Sequence, residues 1–504
     1  MKNLVYLLAG LLFMAANPAF SQTKYWIYFT DKNTVTTDEI AKTSPSMENW
    51  RDLPIDQNYT QSLTKIGIDP ICKSKWFNAV TAVLTEEELK EVKHLPFVEK
   101  IQAVDGRIKL QPLAADFFRE IQYGTALEQM DASAFEQHNL NGEGVTIGII
   151  DAGFWQAPEN DYLIDIFEEG RVLGYKDWVD DADPDAFFND KMTSSDGHGT
   201  TVMRMIAGKK QGKMRYGLAD KAKFFLARTD HGDKEFRGEE DYWIEALEWM
   251  DSLGVRLVNT SLGYALGFDD PNENYKPKQM DGKTTMITQA ADIAAKEKGM
   301  LIVVSAGNEG NDPRWEVLSA PADAQHVLSV GATNEMGLKA GYSSTGPSFL
   351  PYIKPNVSCF SLFGTSFSAP VITGFAACLM QYKPEADAAE IFRVIEESSQ
   401  LYPYGNNYVG YGVPQASRAL SLLDGEEANN HNEIKVSKGS ESVTIQTGNM
   451  EDVSAVLFHK KSSSNVFRQE TLRTHDGKMK VNKPRKAQRT TVYIAGKVTE
   501  IIWN

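Results

Sequence analysis

The chain reads as an α/β protein with a doubly wound, mostly parallel sheet, preceded by a small α+β unit and followed by a small β-rich appendage. Three observations predict this. From residue 144 onward, short apolar runs alternate with longer helical stretches, as in a parallel sheet covered on both faces. Before that point come strands, one capped helix and then a stretch without periodicity. Beyond residue 425 the charge changes sign: residues 426–504 hold 13 Lys/Arg against 9 Asp/Glu, a net +4, in a chain whose net charge is −16.

With 504 residues, the chain has room for two to four domains and a large core. Its 42% hydrophobic and 24% charged residues exclude wholesale disorder, collagen and coiled coil. The acidic body argues against a nucleic-acid binder, because neutralising phosphates needs a basic surface.

Each element follows in order. Met1-Lys2-Asn3, an apolar run over 4–16 and Ala19-Phe20-Ser21 have the layout of a signal peptide over residues 1–21. That predicts a secreted, cell-surface or periplasmic protein, with a membrane anchor as the alternative. The run is short for a bilayer, and no other segment suits one, so no transmembrane segment is expected. Residues 22–122 form the next unit, with its folded part at about 24–104. Aromatic-rich 24–29, 78–84 and 97–104 read as strands. Thr85 caps a helix running to about Lys93, with Glu88 three positions on as in a capping box. Residues 105–122 read as a linker.

The main unit spans 123–425. Strands are expected at 145–150, 223–227, 256–259, 301–305 and 326–330, with helices at about 240–252, 284–298, 366–382 and 386–398. Residues 426–504 carry short β-type runs such as 443–446 and 490–495. Three cysteines, Cys72, Cys359 and Cys378, make no disulfide framework; buried thiols are favoured over a Cys359–Cys378 bridge.

Three stretches could carry chemistry. Asp151 directly follows an apolar strand, placing it at the sheet edge where sites form, although a turn aspartate would look the same. His198, in Asp196-Gly197-His198-Gly199-Thr200, is flanked by glycines that permit close approach and opens a helix. A bystander histidine is the bland alternative. Ser366, in Gly364-Thr365-Ser366-Phe367-Ser368-Ala369-Pro370, sits on a Gly-led turn entering an apolar helix, whose N-terminus favours developing negative charge. There the alternative is a helix cap. The order Asp, His, Ser is one of the known orders of a nucleophilic triad. Asn308, in Ser305-Ala306-Gly307-Asn308-Glu309-Gly310, follows a strand and could donate to an oxyanion.

Together these motifs resemble the subtilisin-like serine proteases (subtilases) over residues 123–423. Val258-Asn259-Thr260-Ser261-Leu262-Gly263 is similar to the family's substrate-binding edge strand, and Ile353-Lys354-Pro355-Asn356 to a later landmark. Residues 24–104 resemble its inhibitory propeptide. The resemblance implies a secreted serine endopeptidase made as a self-processing zymogen and acting on polypeptides, its own propeptide serving as intramolecular inhibitor. It gives Asp151, His198 and Ser366 the triad roles and Asn308 the oxyanion hole. Ser261, Leu262 and Gly263 would hold the substrate chain, and Ser305, Ala306 and Gly307 would line the pocket beside the scissile bond. With no buried charge evident there, an apolar preference is expected. No cofactor is expected for the chemistry. Structural calcium has no residue-by-residue match, although Asp177, Asp180, Asp181, Asp183, Asp185 and Asp190 form an acidic run.

Two departures stand out. Only residues 357–363 separate Asn356 from Gly364, where the family has a longer excursion, and Asn356 replaces the landmark's usual aspartate. These departures keep open an inactive subtilase used as a binding module. A protein whose basic tail does the main work is the other alternative.

Overall fold

In the computed structural model the described residues are 23–32, 50–104, 119–180, 186–189, 193, 195–210, 215–232, 237–266, 274–426, 431–448 and 452–504. The residues read as a signal peptide and most of those read as linker lie outside them. The chain divides into two compact units at Asp105.

The first unit carries β1 (Thr23–Phe29), β2 (Lys73–Ser74), β3 (Ala79–Leu84) and β4 (Val98–Val104) in one sheet of order β2-β3-β1-β4. β1 pairs antiparallel with both β3 and β4. Thr85 and Glu88 form the expected reciprocal cap of the helix Glu86–Val92. A second helix, Gln57–Lys65, was not expected; only its Tyr59 and Leu63 are buried, too few apolar positions to show a period. Ile27, Phe29, Leu63, Val80, Leu84 and Val92 give this unit a core of its own.

The second unit is built on β5 (Thr146–Asp151), β6 (Val172–Asp177), β7 (Lys223–Arg228), β8 (Leu257–Thr260), β9 (Leu301–Ser305), β10 (Leu328–Thr333) and β11 (Val357–Phe360). Their order is β11-β10-β9-β8-β5-β7-β6, and every neighbouring pair is parallel. Side chains alternate between faces. Ile147 and Ile149 enter a core shared with the helices His198–Ala207 and Ala369–Tyr382. Opposite them, Gly148 lies under Met250 of the helix Gly238–Ser252; a Cβ at Gly148 would stand 2.4 Å from the Met250 sulfur. The sheet is therefore covered on both faces, as the alternating pattern predicted.

The stretch 105–122, read as linker, already contains the start of the helix Arg119–Gln129. Its buried Ala126 and, one residue past its end, Met130 are spaced as one helical face but are too sparse to show in sequence. Beyond residue 430 lie β12 (His431–Val436), β13 (Ser442–Gln446), β14 (Ser454–Lys460), β15 (Val466–Arg473), β16 (Lys478–Asn482), β17 (Arg489–Ile494) and β18 (Lys497–Trp503). They form a five-stranded sheet, β12-β18-β17-β14-β15, and a β13-β16 ribbon. This β-rich region belongs to the same compact unit as the parallel sheet. Leu401 and Val409 share a buried cluster with Val456, Phe458, Val466 and Val498.

Among the described residues, no helix is long and apolar enough to cross a membrane. All three cysteines are buried, Cys359 and Cys378 as free thiols.

Candidate active site

β5 lies in the middle of the sheet because Ile147, Ile149 and Ile150 are wholly buried. Its last residue, Asp151, thus ends at the carboxyl edge of the sheet, beneath solvent. The Asp151 Oδ1 accepts from the Ala152 N–H at 2.8 Å and lies 2.6 Å from His198 Nδ1. Gly199 makes this approach possible. Its N–H donates to the Gly153 carbonyl at 2.8 Å, and a Cβ there would stand 2.6 Å from that oxygen and 3.0 Å from Asp151 Cβ. Burial alone would drive the His198 proton off. The charge and hydrogen bond of Asp151, with Asp230 adding, more than offset this and leave the His198 pKa raised.

Ser366 sits in a tight turn, Thr365–Phe367, directly before the helix Ala369–Tyr382. The turn is entered through Gly364 at φ 151°, a backbone region that L side chains avoid. The Phe367 ring lies 5.5 Å from the His198 ring, centroid to centroid, which brings nucleophile turn and imidazole together. The Ser366 hydroxyl donates to the Ser261 carbonyl at 3.2 Å, and the Ser261 hydroxyl returns a bond to the Ser366 carbonyl at 2.9 Å. The Ser366 backbone N–H has no acceptor among the described residues.

Asn308 stands beside this turn. Its Oδ1 accepts from the Thr365 N–H at 2.8 Å and from the Thr365 hydroxyl at 3.1 Å. Both acceptances fix the amide so that Nδ2 points away from them with its protons to give. Ser261 and Leu262 are buried and Gly263 is half-buried, and all three continue directly from β8. Ser305, Ala306 and Gly307 leave β9 as a buried run. An acidic side chain stands next to this run. The Glu309 carboxylate lies against Gly307, its Oε2 2.8 Å from where a Cβ on that glycine would be. Burial raises the Glu309 pKa against hydrogen bonds from the Asn308 N–H and the Ser344 hydroxyl.

Sequence reasoning missed three further residues. Arg228, the last residue of β7, donates to the Ala152 carbonyl at 3.2 Å and to Asp196 Oδ1 at 3.1 Å, so it ties the Asp151 turn to the loop before His198. The signal was present: a charge ending an apolar strand, as at Asp151. Asp230, two residues on, accepts from Thr229 at 3.0 Å and from Tyr264 at 3.1 Å, and burial pushes its carboxyl up to about 7. Gln129 receives the Phe360 N–H at 3.0 Å and donates to the Asn334 carbonyl at 2.9 Å; nothing local in the sequence marks it.

Both departures acquire a physical account. The short stretch after Asn356 is the buried strand β11, held by β10 on one side and by Gln129 at its end. Ser361 then bonds the Gly364 carbonyl at 2.7 Å, so the chain reaches the nucleophile turn without an excursion. Asn356 Oδ1 accepts from the buried Lys354 at 2.9 Å, and its Nδ2 donates to Glu396 at 2.8 Å. Of the acidic run, Asp181, Asp183, Asp185 and Asp190 lie outside the described residues. Asp177 is engaged by Arg228 at 3.2 Å and by the backbone of Val179 and Asp180. Among the described residues, no group of three or more His, Cys, Asp or Glu side chains could hold a metal ion.

Known proteins resemble this chain in sequence and in fold. A family model described as "Subtilase family" matches residues 142–412. Another, described as "Peptidase S8 propeptide domain, Bacteroidota", matches residues 24–116. The chain is 25% identical to subtilisin E of Bacillus subtilis over 348 residues, covering 67% of this chain and 80% of that protein. It is 27% identical to subtilisin-like protease 1 of Arthroderma gypseum over 357 residues, covering 66% and 63%. The epidermin leader peptide processing serine protease of Staphylococcus aureus shares the fold, with TM-score 0.56 and 15% identity over 80% of this chain and 99% of that one.

Proposed function

The chain belongs to the subtilase family of serine-type endopeptidases and carries that family's propeptide domain, and on this premise we propose that Ser366, His198 and Asp151 hydrolyse peptide bonds in a secreted, self-processing zymogen. The observation that carries the reading is the 2.6 Å contact between Asp151 and His198 at the carboxyl edge of the sheet, with the Ser366 turn packed on the imidazole through Phe367.

In this reading a substrate lies extended along 261–263 as an added strand. The Ser366 hydroxyl leaves the Ser261 carbonyl, turns to His198 Nε2 and attacks the scissile carbonyl as His198 takes its proton. The Asp151 carboxylate holds the Nδ1–H tautomer and stabilises the imidazolium. The tetrahedral oxyanion is received by Asn308 Nδ2 and the Ser366 N–H, a pre-set pair aimed where charge develops. Collapse passes the proton from His198 to the leaving amine; water then repeats the sequence to release the acyl group. Ser305, Ala306 and Gly307 flank the side chain next to the bond, and Glu309 gives that pocket a polar floor. No cofactor takes part in these steps.

The segment 24–104 acts as intramolecular inhibitor, and self-cleavage within 105–122 frees the enzyme. Residues 1–21 direct export, so the mature protein works outside the cytoplasm. Purified protein treated with a fluorophosphonate probe tests the reading, with Ser366→Ala as control and intact mass measured in parallel. Labelling that vanishes in the variant, with about 100 N-terminal residues released only from the active chain, is expected. A folded protein that takes no label would instead be an inactive binding module.

A further inference from the structure

One segment touches three places that matter. Residues 339–346 run from the C-terminal β domain to the pocket wall and on toward the nucleophile turn. At its start, the Lys339 N–H donates to Gln469 Oε1 at 2.9 Å, and Gln469 Nε2 donates back to the Lys339 carbonyl at 3.0 Å. Gln469 belongs to β15, so this is a two-way main-chain clasp from the domain onto the segment. At its other end, Gly346 donates to the Asn407 carbonyl at 2.9 Å. Asn407 is in turn fixed by the C-terminal domain: its N–H donates to the Ser464 carbonyl at 3.0 Å, and its Oδ1 accepts the Val466 N–H at 2.8 Å. Both ends of the segment are therefore held by residues 464–469 or their direct partner.

Between these clasps the segment is stiff. The half-buried Lys339 ammonium donates to the carbonyls of Ala340, Gly341 and Ser343 at 3.0, 3.1 and 2.8 Å. Its centre carries the site. Tyr342 O accepts the Gly310 N–H at 2.8 Å, and the Ser344 N–H donates to the Gly307 carbonyl at 3.1 Å. The Ser344 hydroxyl accepts the Glu309 N–H at 3.1 Å and donates to Glu309 Oε2, which itself accepts the Asn308 N–H at 2.8 Å. The loop presenting Asn308 thus rests on this segment on both sides. The Tyr342 hydroxyl reaches the Ser361 carbonyl at 2.7 Å, and Ser361 holds the Gly364 carbonyl at 2.7 Å.

We propose that the C-terminal β domain is a positioning element of the active site, acting through its own Gln469 and through Asn407 of the main unit, which it holds, to set the Asn308 loop by way of residues 339–346. An appendage used for attachment alone would need no such clasp at both ends of one loop. This rests on the reading of Asn308 as oxyanion donor, because a displacement of about 1 Å in a preorganised donor is felt in turnover.

The test is a double-mutant cycle in the full-length chain. Gln469→Ala is expected to lower kcat roughly fivefold or more with KM changed less than about twofold, and to lose nearly all of that effect in an Asn308→Ala background. Gln469→Glu keeps the acceptor for the Lys339 N–H and should fall between wild type and Gln469→Ala; it decides the matter if the alanine variant does not fold. Unchanged kcat, or an equal fold-loss in both backgrounds, overturns the proposal. Normal turnover in Asn308→Ala alone would fault the oxyanion assignment instead, and then any loss of Ser366 labelling rate in Gln469→Ala still reports on the clasp.

Discussion

The two halves of the site are held differently. The Asp151–His198 half is closed: one carboxylate oxygen takes both the imidazole and the next backbone N–H, and Arg228 ties the two loops together from behind. In the Ser366 half the nucleophile's hydroxyl is bonded to Ser261, on the strand that would receive substrate. The closed half needs only a sheet edge and a glycine. The nucleophile half depends on the edge strand, the Gly364 turn and the Asn308 loop together. In the proposed mechanism the Ser366 hydroxyl has to leave Ser261 to reach His198, so substrate on that edge would couple binding to activation of the nucleophile. Catalytic hydrogen bonds commonly tighten only in the substrate complex.

Perturbing each half separately sharpens this contrast. Ser366→Ala should abolish probe labelling and lower kcat on the order of 10⁶-fold, leaving an unprocessed precursor visible by intact mass. Asp151→Asn attacks the closed half without changing its shape. Turnover should fall roughly 10⁴-fold through the wrong histidine tautomer, with melting temperature little altered. Asn308→Ala should cost about 10²–10³ in kcat with KM nearly unchanged in initial-rate measurements. Asp230→Asn should give the smallest effect, and a diagnostic one. Asp230, its own carboxyl pushed up to about 7, carries only part of its charge across the acidic limb and so adds a small upward push to the His198 pKa, and the base works only when neutral. Removing that charge should therefore move the acidic limb of the kcat/KM profile to lower pH. An acidic limb that stays in place would separate Asp230 from the imidazole.

Much of this was legible from residue order. Asp151 at a strand end, His198 between glycines and Ser366 at a helix entrance are local signals, because each depends on neighbours adjacent in the chain. The capping box at Thr85 was legible for the same reason. What escaped is long-range. Gln129 meets β11 across more than two hundred residues, and Gln469 meets Lys339 across 130. β11 was not among the expected strands, since the four residues Val357–Phe360 are too few to show a period. The C-terminal region was recognisable as β-rich from its Val, Ile and Thr runs. Its attachment was not, because Val456, Phe458 and Val466 look alike whether they fill a private core or a shared one.

The buried Lys354–Asn356–Glu396 chain has a consequence for how this sequence can change. The position usually held by aspartate carries an amide here, and that amide donates to the Glu396 carboxylate at 2.8 Å. Restoring aspartate alone would set two carboxylates face to face around one lysine, whereas Glu396→Gln alone would strip Lys354 of a counter-charge. Both substitutions bear on the same lysine, so their effects on stability are expected not to add.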